Sequence, residues 1–138
     1  MKPRSNRQLF IAAFVIAIVI IVIANLLGRH ENRYERMADA ITQALAHNDM
    51  APVQNDFNAS DRPELQNRAR VGALSDLVVS LGAFKGSKEN TPQGSDPNYH
   101  QFVETFAKGT LVEKYKLDAD GKITRFHIGP SAAMNAGP

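Results

Sequence analysis

The chain contains no cysteine. That excludes disulfides, thiol catalysis and cysteine-based metal sites, so its fold must be held by an apolar core alone. The histidines, His30, His47, His100 and His127, show no ligand spacing such as His-x-x-x-His on one helix face, so neither a metal nor another cofactor is expected. There is no glycine-rich phosphate loop, and Ser75, Ser80 and Ser87 lack a Gly-x-Ser-x-Gly setting. Asp118-x-Asp120-Gly121 invites a calcium reading. In an EF-hand register, however, Lys116 stands where the first acidic ligand belongs and His127 where the bidentate Glu belongs, so the segment reads as a hairpin turn. Asn58-Ala59-Ser60 fits the glycosylation triplet, which matters only in a eukaryotic secretory setting. No cluster of Lys and Arg is interleaved with aromatics, which argues against nucleic acid as a partner.

What is present first is one long apolar run, Leu9–Leu27, LFIAAFVIAIVIIVIANLL. It has no charge and a single amide, Asn25. As a helix it would extend roughly 28 Å, close to the ~30 Å hydrocarbon core of a bilayer. Its many Ile and Val are mediocre helix formers in water, but in lipid the need to satisfy every backbone group outweighs that preference. Lys2, Arg4 and Arg7 precede the run. Arg29, Arg33 and Arg36 follow it, mixed with Glu31 and Glu35. The positive-inside rule then favours a cytoplasmic N-terminus and an extracytoplasmic C-terminal domain. A cleaved signal peptide is the competing reading, with Val22-Ile23-Ala24 as its cleavage site. Its apolar core is normally shorter, and Asn25-Leu26-Leu27 continues the apolar character. Ala13 and Ala17, four apart, would permit close helix packing. The chain has 16 Lys+Arg and 14 Asp+Glu. With Lys2, Arg4 and Arg7 set aside, 13 basic residues face 14 acidic ones, a net of −1. The basic character therefore belongs to the tail, which also removes nucleic acid as an inference from charge.

The expected organisation is a cytoplasmic tail (1–8), a transmembrane helix (9–27), a charged collar (28–33), one α+β domain (34–130) and a disordered tail (131–138). Tyr34, Met37, Ala38, Ile41 and Leu45 form one helical stripe, ended by His47-Asn48-Asp49. Asp49 caps a short second helix through Val53 and Phe57. Ser60 or Asp61 caps a third, with Pro63 in its first turn, Leu65, Ala69, Leu74, Leu77, Val78 and Leu81 as its apolar positions, and Gly82 as its stop. The period then changes. Ala83-Phe84-Lys85 is a short strand, and 86–98 is a loop or ragged hairpin. In the next strand Phe102 and Phe106 share one face, with Tyr99, Val103 and Ala107 opposite. Leu111, Tyr115 and Leu117 share a face of the following strand. In the last strand Ile123 lies on one face and Phe126 and Ile128 on the other. Helices followed by an antiparallel meander predict an α+β fold: about three helices packed on a curved sheet of three to four strands.

This order, with the first helix, a short one ending in Phe57, a third ending at Leu81-Gly82-Ala83-Phe84, and a meander closing on Leu117-Asp118 and Gly121-Lys122-Ile123, resembles the nuclear transport factor two-like (cystatin-like) superfamily over residues 33–130. The resemblance implies a cone in which a bent sheet wraps the long helix and leaves a pocket at its wide end. It implies equally an isomerase, a hydratase, an epoxide hydrolase, a secretion-machine scaffold or an exported domain, so fold alone does not give function. Phe84, Tyr99, Phe102, Phe106 and Tyr115 are the candidate ligand-binding residues. The alternative for these aromatics is the core. In an isomerase- or hydratase-like reading His100 or His127 would be the base and Tyr115 the hydrogen-bond donor. The parity of His127, opposite to Phe126 and Ile128, places it on the solvent side. With no reactive constellation in the chain, the leading expectation is a membrane-anchored, non-catalytic module. Its partners would be the lipid bilayer and a protein, a second copy of itself, or a small apolar ligand.

Overall fold

The computed structural model describes residues 32–131. The expected membrane span at 9–27 and the tail 1–8 lie outside the described residues, as do all but the end of the 28–33 collar and most of 131–138. Among the described residues, no helix is long and apolar enough to cross a membrane. The element order is helix α1 (Arg33–Ala46), a 3-10 turn (Ala51–Asp56), helices α2 (Arg62–Leu65) and α3 (Arg68–Ser80), then strands β1 (Phe84–Glu89), β2 (Tyr99–Phe106), β3 (Gly109–Leu117) and β4 (Ile123–Gly129). The strands form one antiparallel sheet in the order β1-β2-β3-β4, so the α+β arrangement holds.

Helix α1 buries Ala38, Ile41, Thr42, Ala44 and Leu45. Asn48 ends it at φ 53°, a left-handed conformation that Asn tolerates, and the Asp49 amide donates to the Ala44 carbonyl. Asp49 Oδ1 then accepts from the Ala51 amide at 3.0 Å, which opens the 3-10 turn. The expected third helix is two helices. Asn67 adopts an extended backbone (φ −71°, ψ 97°), and its side chain accepts from the Arg70 amide. An N-cap inside an apolar pattern stops one helix and starts another. Neither Ser60 nor Asp61 supplies the expected side-chain cap. The Asn58 side chain instead accepts from the Ser60 amide and hydroxyl. Gly82 stops α3 at φ 79°.

Strand β1 runs further than Phe84-Lys85, through Gly86 to Glu89. A register irregularity between Phe84 and Gly86, with Gly86 at φ 140°, lets the polar segment stay paired to β2. The last strand brings a second correction. Lys116 pairs with Arg125, but Leu117 pairs with Ile123, so one residue of β4 is skipped. That bulge flips the parity, and Ile123 is fully buried alongside Leu117 instead of facing away from Phe126 and Ile128.

The meander signature has a mechanical role. Asp118 Oδ1 accepts from the Asp120 and Lys122 amides, and its Oδ2 accepts from Asn58 Nδ2 at 2.7 Å. Lys122 Nζ donates to the Asn55 carbonyl, and the Asn58 amide donates to the Ile123 carbonyl. The β3–β4 turn thus clamps 55–58 against the start of β4. These hydrogen bonds hold the Asp118 carboxyl below its ordinary pKa, the Lys122 amide contributing most.

Phe102, Phe106, Leu111, Tyr115 and Ile123 from the sheet meet Ile41 and Leu45 from α1 in one core. Phe102 is 0% exposed. Phe102→Ala should therefore destabilise the fold by about 3–5 kcal/mol in urea unfolding. A loss under about 1 kcal/mol would mean that the ring borders open space instead of a packed core.

Candidate functional site

The interior face of the sheet carries more than apolar groups. Strand alternation sends His100, Phe102, Glu104 and Phe106 of β2 toward α1, and Leu111, Glu113, Tyr115 and Leu117 of β3 likewise; all eight are buried. Glu104 and Glu113 are both fully buried, and Thr42 of α1 sits between them. Its Oγ1 lies 3.2 Å from Glu104 Oε2 and 3.3 Å from Glu113 Oε2. The Ser87 hydroxyl donates to Glu104 Oε2 at 2.6 Å.

A hydroxyl carries one proton, so Thr42 donates to only one of the two carboxyls. The other contact requires a carboxyl proton donated to Thr42 Oγ1. Burial pushes the Glu113 carboxyl well up, the nearby Glu104 charge adds to that, and the Thr42 hydrogen bond opposes it weakly. Burial also raises Glu104, to about 7, against hydrogen bonds from Ser87 and Thr42 that favour its charged form. The stronger upward push on Glu113 makes it the carboxyl that keeps its proton as the pH rises, with Glu104 the acceptor once ionised. The Oε1 atoms of both have no partner among the described residues.

Next along the same face, His100 Nδ1 lies 2.8 Å from Glu89 Oε1, and Tyr34 stacks on the ring at 3.9 Å. His100 Nε2 is buried without a partner among the described residues. The Tyr115 hydroxyl donates to the Tyr34 carbonyl at 3.1 Å. Burial above all raises the Tyr115 pKa far above the phenol range.

The five candidate ligand-binding aromatics do not converge on one pocket. Phe102 and Tyr115 stack in the core at 5.2 Å, with Tyr115 1% exposed. Tyr99 is on the opposite face of the sheet, its hydroxyl donating to Gln101 Oε1. Phe84 and Phe106 do meet, at 5.4 Å. They line a cleft of about 530 Å³ with Val78, Val79 and Ala46, whose polar members are Gln43 and His47. Val79 is 57% exposed there. His127 is on the exposed outer face, away from His100 and Tyr115.

A second cleft, of about 230 Å³, lies between β4 and helices α2 and α3, floored by Phe57, Leu65, Val71, Leu74 and Phe126. A third, of about 610 Å³, is mostly polar, with Asn48, Gln54, Arg62 and Arg68. None of the three is lined by His100, Glu104, Glu113 or Tyr115. Among the described residues, no group of three or more His, Asp or Glu is arranged to hold a metal ion.

The carboxyl pair was missed in the sequence although its signal was there. Glu104 falls midway between Phe102 and Phe106, and Glu113 midway between Leu111 and Tyr115, at inward parity in both strands. Thr42 likewise falls on the apolar stripe of α1, next to Ile41. Comparison of the chain with protein-family models, with curated proteins and with solved structures finds no match.

The raised carboxyls predict an uncommon pH profile. Both hold protons in the folded protein at pH values where the unfolded chain has released them, near 4.5. Their stabilising effect is complete below that pH and declines as the pH rises through about 7, by up to ~1.4 kcal/mol per pH unit for each group. The urea midpoint should therefore fall between about pH 5 and about pH 8, and Glu113→Gln should flatten the decline. A midpoint constant or rising over that range would contradict the shared-proton arrangement.

Proposed function

We propose that this chain is a membrane-anchored, non-catalytic binding module that presents its α+β domain outside the cytoplasm and takes a small apolar ligand in the Phe84–Phe106 cleft. The anchor is the uncharged run Leu9–Leu27 with its basic flank. The observation that carries the binding role is the exposed Val79 beside Val78, Phe84 and Phe106 in a cleft of about 530 Å³. That volume lies within the range of small-molecule sites, and the lining is aliphatic and aromatic apart from Gln43 and His47. An isomerase- or hydratase-like reaction would need an opening onto His100, Tyr115 or the two glutamates. None of the clefts described above opens onto those groups; His127, the other candidate base, borders the 230 Å³ cleft, but Tyr115, its candidate donor, does not. The cone pocket implied by the superfamily resemblance is therefore replaced in this reading by a cleft at the rim of the sheet.

Photolabelling tests the binding role. The full-length protein in nanodiscs is irradiated with a trifluoromethyl-phenyldiazirine probe, and the labelled peptides of residues 32–131 are mapped. Label should concentrate on the peptide carrying Val78–Phe84 and fall several-fold in Val79→Asp, with an unchanged urea midpoint. Label spread evenly over the domain, or undiminished in Val79→Asp, would contradict the assignment. For the topology, a reporter active only outside the cytoplasm should be active when fused after Pro138, and an inactive fusion would contradict it.

A further inference from the structure

We propose that the open edge of β4, residues Thr124–Gly129, is a docking site for an extended segment of another protein whose side chains alternate between acidic and apolar. This goes beyond the small-ligand reading and rests on a different face of the domain.

The two edges of the sheet are treated differently. Strand β1 is closed off: the Ser87 amide donates to Asp39 Oδ1 at 2.8 Å and the Glu89 amide to Glu35 Oε1 at 2.9 Å, both carboxylates on α1. Helix α1 thereby covers an edge that would otherwise offer free donors. Strand β4 pairs only with β3, and beyond the Phe57–Ile123 bridge no strand among the described residues lies on its other side.

The orientation of the edge groups follows from the register. Phe106 and Gly109 flank a two-residue turn, and the Leu117 amide donates toward the β2 side, to the Asn98 carbonyl. Odd-numbered residues of β3 thus bond toward β2, and Lys114 and Lys116 bond toward His127 and Arg125 of β4. The alternation leaves the backbone groups of Phe126 and Ile128 directed at the open edge.

Side chains on either side of that edge specify the occupant. Toward the core lies the 230 Å³ cleft, floored by Phe57, Leu65, Leu74 and Phe126 and rimmed by Asp61, Glu64 and Arg70 of the helices, Glu64 being paired with Arg70. It exceeds the ~150 Å³ cavity that accepts a benzene ring, so it has room for an apolar side chain. On the outer face, Lys116 pairs directly with Arg125. Like charges directly opposite one another on a sheet are unfavourable. Asp96 reaches Lys116 at 2.6 Å, while Arg125 at the edge is exposed. An added strand would place its outer-face residues beside Arg125 and His127, where a carboxylate can pair with the Arg125 guanidinium and another can accept from the His127 ring. Its alternate residues would point into the cleft. A second copy of β4 is the wrong occupant, because Thr124–Gly129 carries Arg125 and no acidic residue to pair with it.

The test uses the full-length protein in phosphatidylcholine nanodiscs and a fluorescein-labelled peptide, Glu-Val-Glu-Leu-Glu-Val, with its lysine counterpart and a non-alternating scramble as comparators. Anisotropy should show binding of the glutamate peptide at least tenfold tighter than either comparator. Arg125→Glu with His127→Glu should weaken it at least tenfold. Amide hydrogen exchange at Phe126 and Ile128 should slow on binding, a readout independent of any variant. Several outcomes would overturn the proposal: no binding, equal binding of the comparators, or exchange at Phe126 and Ile128 unchanged by the bound peptide. Protection of these amides before peptide is added would overturn it too, since the chain's own terminus or a second copy would then hold the edge. Because Val79 is on another face, failure here leaves the photolabelling result standing, and the reverse.

Discussion

The structure turns on a proton held between two glutamates and one threonine. Thr42 is the only polar side chain among the buried residues of α1, and it meets Glu104 and Glu113 from neighbouring strands. Burying two carboxyls is costly unless one is neutral and the other hydrogen-bonded, and the Thr42 and Ser87 hydroxyls meet that condition. The arrangement ties three elements to one register. Slipping β2 by one residue would present Val103 or Thr105 to Thr42 and turn Glu104 outward, and an equivalent slip of β3 would do the same to Glu113. The core is thereby specified by a contact that tolerates only one alignment of helix and sheet.

The same helix also closes one side of the sheet. Glu35 and Asp39 lie on α1 toward β1 and take up its edge amides, while Thr42 reaches inward. Among the described residues, the opposite edge is held only at its beginning, where the Asp118–Lys122 turn grips residues 55–58. Among the described residues, the rest of β4 offers an open edge, with a largely apolar cleft on one side and Arg125 and His127 on the other. In the reading proposed here, a filled interior leaves recognition to the periphery, at this edge and at the cleft beside Val79.

The α+β order was legible because the sequence changes from helical stripes to alternation after Gly82, and the faces of β2 and β3 followed from Phe102, Phe106, Leu111 and Tyr115. The misses have local causes. Asn67 breaks a helix whose apolar pattern continues across the break, since periodicity records burial and not chain continuity. Strand β1 reads as strand only to Lys85, and its continuation to Glu89 reads as loop or ragged hairpin, because that pairing depends on a glycine bulge and on carboxylates from a helix distant in sequence. The β4 bulge moved Ile123 to the face it was not assigned, since one skipped residue reverses every parity argument beyond it. Glu104 and Glu113 were passed over because charge suggests solvent, whereas their parity pointed inward. The aromatics chosen for a ligand site were chosen for size, and size serves packing equally well: Phe102 and Tyr115 went to the core, Tyr99 to the outer face, and only Phe84 and Phe106 to a cleft.

The central claim is that the inner face of the sheet is a packed core around the Thr42–Glu104–Glu113 contact, so that binding belongs to the surface. Carboxyl carbon-13 shifts of the glutamates, followed by NMR against pH in the full-length protein, test it most directly. The account predicts that Glu104 titrates near 7 and that Glu113 keeps its proton well above the ordinary value of 4.5. If both carboxyls titrate near 4.5 instead, water reaches the interior. The shared proton would then be absent, and the case for a packed core would fail with it.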